Sequence, residues 1–186
     1  MLSALLLAGA LGCSGSDRTT GSPATSAATA GPATTTPPAP TLAADVTYTL
    51  PTKLCAAVDD RALKEIFPID GEPVVDAAGV CGTSRASEAM RVSLSIDVKL
   101  LPNPKLGKQL YDSARRLATS TPTDLSGVGA GAFWTGDNNK VKLFSYHGNL
   151  ALTIICEPVS SQHQLPADVP QRLGRVAAGT FARLAT

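Results

Sequence analysis

Between residues 90 and 100 the chain alternates without a break. Met90, Val92, Leu94, Ile96, Val98 and Leu100 fall on one face, and Arg91, Ser93, Ser95, Asp97 and Lys99 fall on the other. That period of two predicts a strand with one buried and one wet face. A preceding strand is expected over 80–86, and a three-strand meander over 132–136, 140–147 and 149–157. The meander turns on Asp137-Asn138-Asn139 and His147-Gly148-Asn149, residues that tolerate positive φ. Helical spacing marks three further segments. Residues 59–67 place Leu63, Ile66 and Phe67 on one side, with Asp59 or Asp60 as cap and Pro68 as stop. Asn103-Pro104 opens a helix to about residue 118, with Leu106, Leu110, Ala114 and Leu117 along its expected inner face. A last helix over 170–184, capped by Asp168, carries Leu173, Val176, Ala177, Thr180, Phe181 and Leu184 as its inner stripe. The expectation is an α+β domain over 46–186 in the order α-β-β-α-β-β-β-α, a five-stranded, largely antiparallel sheet covered by two to three helices.

Ahead of that domain the pattern changes twice. Residues 1–12 are apolar and uncharged, the length of a signal-peptide core and too short for a membrane span of about 20 residues. Gly12-Cys13-Ser14-Gly15 ends the run, and a small residue before Cys reads as a lipobox. There the Cys13 thiol takes a diacylglyceryl group as a thioether and becomes the mature N-terminus. Ala10 stands where Leu or Val is usual, and no Lys or Arg precedes Arg18. A start codon assigned too far downstream accounts for the missing basic segment. Residues 13–45 are then dominated by Ser, Thr, Ala, Gly and Pro. Such a stretch cannot offset its ordering entropy by burial, so it is read as a stalk. Its roughly 31 residues from Ser14 span about 30 Å as coil and about 95 Å as polyproline II.

Charge narrows the function classes. Formal net charge is +1, and charged residues make up only 17% of the chain. No basic excess exists to release counterions from nucleic acid. Aromatics at 4% are too sparse for a base-stacking platform. With Cys13 lipidated, Cys55, Cys81 and Cys156 remain, which allows one disulfide and one free thiol. Cys55–Cys81 is the favoured pair, since a loop of about 27 residues gives roughly 3.5 kcal/mol in the chain-entropy model. Cys81–Cys156 is the alternative. Cys156, after Leu152-Thr153-Ile154-Ile155, then reads as a small buried apolar residue.

Several segments together resemble a known group. They are the Gly12-Cys13 lipobox, the Thr/Pro stalk, the run from Val46 through Cys55 to Asp59, Cys81 on a strand, and Leu125-Ser126-Gly127-Val128-Gly129-Ala130-Gly131-Ala132-Phe133 before the meander. This arrangement is similar to the uncharacterised secreted lipoproteins of actinobacteria. Some of those domains resemble the extracellular sensor domain of a mycobacterial Ser/Thr kinase. The resemblance implies a Cys-stapled α+β domain, lipid-anchored on the extracytoplasmic face of the cell membrane, and it brings no assigned activity with it. Cys156 departs from the group's simplest two-Cys pattern.

Catalytic signals are weak. His147 sits at a turn and His163 in a polar loop, so both read as exposed; no Gly-x-Ser-x-Gly elbow accompanies them. Glu157 beside Cys156 disfavours a thiolate. The Gly127-x-Gly-x-Gly131 run precedes a strand rather than opening a helix, the wrong context for a phosphate loop. No metal or cofactor is expected. The expectation is a monomeric, membrane-tethered binding or sensing module for an envelope protein, lipid or glycan. Its ligand surface would run from Gly127 to Trp134 and the turn at His147. The competing class is an envelope hydrolase or thiol enzyme whose site converges only in three dimensions.

Overall fold

The computed structural model describes residues 46–186. The class is α+β, as the periodicity implies, but the sheet has eight strands rather than five. Five long strands match the expectation: β3 (Val80–Ala86), β4 (Arg91–Leu100), β6 (Gly131–Asp137), β7 (Lys140–His147) and β8 (Leu150–Pro158). The other three are β1 (Ile69–Asp70), β2 (Val75–Ala77) and β5 (Thr123–Asp124). They are two or three residues long and mostly exposed, too short to show a period and with no face to bury. All pairings are antiparallel, in the order β1-β3-β4-β8-β7-β6-β5, with β2 also on β3. The short strands cover the two outer edges, which blunts them against pairing with another chain.

Among the described residues three α-helices close the fold: α1 (Arg61–Lys64), α2 (Pro104–Arg116) and α3 (Val169–Leu184). One sheet face carries Val92, Leu94, Ile96 and Val98 of β4 with Leu150, Leu152, Ile154 and Cys156 of β8, all buried. Here this face is called inner. α1 and α3 cover it, and every residue of the stripe expected in the last helix is buried. α1 is shorter than its pattern. Asp60 stands at its N-cap without a side-chain cap bond, because its carboxylate is drawn to Arg85 and Lys64 instead. Asp168 likewise gives its carboxylate to Arg172 Nε at 2.7 Å.

The two ends of the described chain are joined. Tyr48 bridges Ala185, and the Thr186 amide donates to the Thr47 carbonyl at 3.1 Å. A 3₁₀ turn at Cys55–Ala57 is then stapled to β3 by the Cys55–Cys81 disulfide, with Cα atoms 5.0 Å apart. The favoured pairing holds, and Cys156 is a buried free thiol.

Candidate functional site

Among the described residues one helix, α2, covers the opposite, outer sheet face, and the way it sits there makes a groove. Leu106, Leu110, Ala114 and Leu117 form the helix's most apolar stripe, and a core position is expected for them. The structure turns that stripe aside. Gly107 is the buried residue of α2, and a Cβ there would lie 2.7 Å from the Gly148 carbonyl oxygen. Tyr111, one turn on, packs against Tyr146 and Phe133, at centroid distances of 5.0 and 5.2 Å. Phe133 stacks in turn on Phe144, its cross-strand partner, at 5.0 Å. Close approach at Gly107 and an aromatic cluster around Tyr111 therefore dock the helix, and its leucines are left at the rim. Leu106, Leu110 and Leu117 are 38%, 42% and 80% exposed.

Between this half-open helix wall and the strands lies a cleft of about 290 Å³. Leu110, Tyr111 and Ala114 form its wall, and β4, β8 and β7 its floor. The floor is mixed. Phe144 and Ile155 are apolar, Thr153 is polar, and Asp97, Lys99 and Lys142 are charged. Asp97 and Lys99 face each other at 3.8 Å. The Lys142 ammonium lies 4.5 Å from the centre of the Phe144 ring and has no carboxylate partner among the described residues. Burial pushes the Tyr111 phenol above its ordinary range, so it stays neutral.

The residues expected to bind ligand lie elsewhere. Trp134 is opposite Leu143, which puts it on the inner face, partly buried against the core rather than on an open surface. His147 is the last residue of β7, and it points inward with Val141, Leu143 and Ser145. It is only 6% exposed, which overturns its reading as an exposed turn residue. Its Nδ1 is hydrogen-bonded to the Tyr48 hydroxyl, and both rings pack against Phe181. Burial lowers the imidazole's pKa and raises the Tyr48 phenol to about 12. His163 is exposed, as expected. The glycine run also differs from its expected role. Gly127 and Gly129 have positive φ, and Gly129 lets the chain cross the β7 backbone at Tyr146, where the Ala130 amide donates to the Tyr146 carbonyl at 2.8 Å. At Gly129 the missing side chain accommodates the protein's own strand.

Cys156 is fully buried, and burial with the Glu157 charge pushes its thiol to about 12. Cys13 and the leader and stalk lie outside the described residues. Among the described residues, no three His, Cys, Asp or Glu side chains converge as a metal set, and no helix is long and apolar enough to cross a membrane. Comparison with protein-family models, curated proteins and solved structures returns no match.

The groove residues were not singled out by sequence, yet a signal for them exists in β7. Its inner positions carry Val141 and Leu143, while the other parity carries Phe144 and Tyr146. A strand with large apolar groups on both faces is covered on both.

Proposed function

We propose that the chain is a lipid-anchored, extracytoplasmic binding module. In this reading Cys13 carries the lipid, residues 13–45 form the stalk, and the domain offers the groove beside α2 to a ligand rather than turning one over. The observation that carries the binding half is the α2 wall of the cleft, where Leu110 and Ala114 are left partly open beside Phe144, Ile155 and a lysine without a carboxylate partner among the described residues. Apolar lining with a few placed polar groups is the usual make-up of a ligand site. The enzyme reading would use His147 or Cys156, and both point into the core, away from this groove. A thiol held near 12 supplies almost no thiolate at neutral pH.

Two measurements test the two halves. With an intact upstream leader, Cys13→Ser releases the protein from the membrane fraction; retention there refutes the anchor. Hydrogen exchange of the full chain, with and without envelope extract, reports on binding. Added extract slows exchange in α2 and β8, and Leu110→Glu removes that protection. Unchanged exchange in α2 refutes the groove as the site. An activity against envelope substrates that disappears in His147→Ala or Cys156→Ala would overturn the non-catalytic reading.

A further inference from the structure

We propose that this groove takes a single-chain anionic amphiphile, with its acyl tail along the leucine stripe of α2 and its carboxylate or phosphate head at Lys142. The proposal rests on the binding reading above and names the ligand for that site.

The tail follows from the wall. Leu110 and Ala114 line the cleft, and Leu106 and Leu117 continue the same side of the helix beyond it, a row about 16 Å long at 1.5 Å per residue. Ala114 leaves room in the middle of that row, and Phe144 and Ile155 supply an apolar floor beside it. This is an extended shape, suited to a methylene chain rather than to a compact ring system.

The head follows from the charges. Asp97 and Lys99 answer each other across 3.8 Å and leave no excess. Lys142 is the uncompensated charge of the groove, held over the Phe144 ring of its floor. An ammonium beside an apolar floor favours an anion and disfavours a cation. The number of chains follows from the wall: one row of apolar side chains beside one lysine matches one acyl chain and one head.

The test is a titration series on the full chain carrying Cys13→Ser, with each amphiphile kept below its micelle concentration. Octanoate, decanoate, dodecanoate and dodecyl phosphate are compared with dodecyltrimethylammonium, and with acetate and inorganic phosphate as heads without tails. The expected result is saturable binding that tightens two- to fourfold per added methylene, about fourfold being the value for full burial. The cationic amphiphile binds at least tenfold more weakly than dodecanoate, and the tailless anions do not bind. Lys142→Gln brings the anionic and cationic chains within threefold of each other, and Leu110→Glu abolishes binding. Both side chains lie outside the core, and an unchanged melting temperature verifies that each variant is folded.

Equal affinity for anionic and cationic chains, full binding by Leu110→Glu, or binding of phosphate alone overturns the proposal. So does capture of the protein by anionic vesicles with no affinity for free amphiphile, which would mark a surface-docking face. If no amphiphile binds while envelope extract still protects α2, the ligand class is wrong and the binding reading stands. If neither occurs, both fall.

Discussion

The Asp59 side chain occupies the place that a Cβ on Gly179 would take: a methyl built there lies 2.6 Å from the Asp59 Cβ. A glycine on α3 thus lets the segment before α1 lie directly on the helix. The contact is held by polar bonds. The Asp59 amide donates to Thr180 Oγ1 at 3.1 Å, Arg61 Nε donates to its carboxylate at 2.7 Å, and Arg183 donates at 3.2 Å. Gly179→Ala is therefore expected to destabilise the domain by about 1–3 kcal/mol through overpacking, despite alanine's better helix propensity. Urea denaturation measures it; a stabilised variant would show that α3 can shift without cost.

The same carboxylate sets part of the acid limit. Arg61, through its hydrogen bond, holds the Asp59 pKa below the ordinary carboxylate value against the opposing effect of burial. Asp70 is lowered as well, chiefly by the charge of Arg85. For groups lowered on folding, the stabilisation is complete above the unfolded value near 3.9 and is lost as pH falls through the folded one. Melting temperature should drop below about pH 4, and less steeply in Asp59→Asn, which begins from a lower plateau. An identical acid slope in that variant would remove Asp59 from the account.

His147 acts at a higher pH. Burial lowers its pKa below the ordinary value near 6.5, so the unfolded chain takes up the proton first as pH falls. Its contribution is whole above about pH 6.5, shrinks from there down to the folded value, and is constant below it. NMR titration should place the imidazole below its unfolded value. Tyr48→Phe leaves Nδ1 without its buried hydrogen-bond partner and should cost about 1–3 kcal/mol. Because Tyr48 also bridges Ala185, this variant should speed exchange at the C-terminal end of α3. A His147 that titrates normally would mean the pair is open to water.

Parity along the strands made the inner core legible, and His147 lay within reach of the same rule. It shares its parity with Val141 and Leu143, but its place beside Gly148 suggested a turn residue. The stripe of α2 misled for a different reason. Hydrophobic periodicity gives the most apolar side of a helix, whereas the docked side here is set by a missing Cβ at Gly107 and by the aromatic contacts of Tyr111 with β6 and β7. Those contacts are tertiary, and no local pattern encodes them. The groove exists because the two sides differ, so the site lies where the pattern and the packing part company. The disulfide was legible as a favoured pair because reading Cys13 as a lipid site left three cysteines to choose from.

That staple and the remaining thiol give the last expectation. Cys55 and Cys81 are 26 residues apart and tie the 3₁₀ turn to β3. The turn itself contributes no buried residue, so the bridge is a main attachment of that segment. Replacing both cysteines by serine should cost about 3.5 kcal/mol by loop entropy and loosen residues around the turn before the rest of the domain. Cys156 should behave oppositely. Buried between β4 and β7 with its thiol at about 12, it should resist alkylation by iodoacetamide in the native protein and react only on unfolding. Cys156→Ala removes little volume, forms only a small cavity, and should cost about 1 kcal/mol. Peptide mapping after native and denatured alkylation separates the Cys156 thiol from the Cys55–Cys81 pair. Rapid native labelling of Cys156 would show that the sheet opens there, and would return the thiol to consideration as a reactive group.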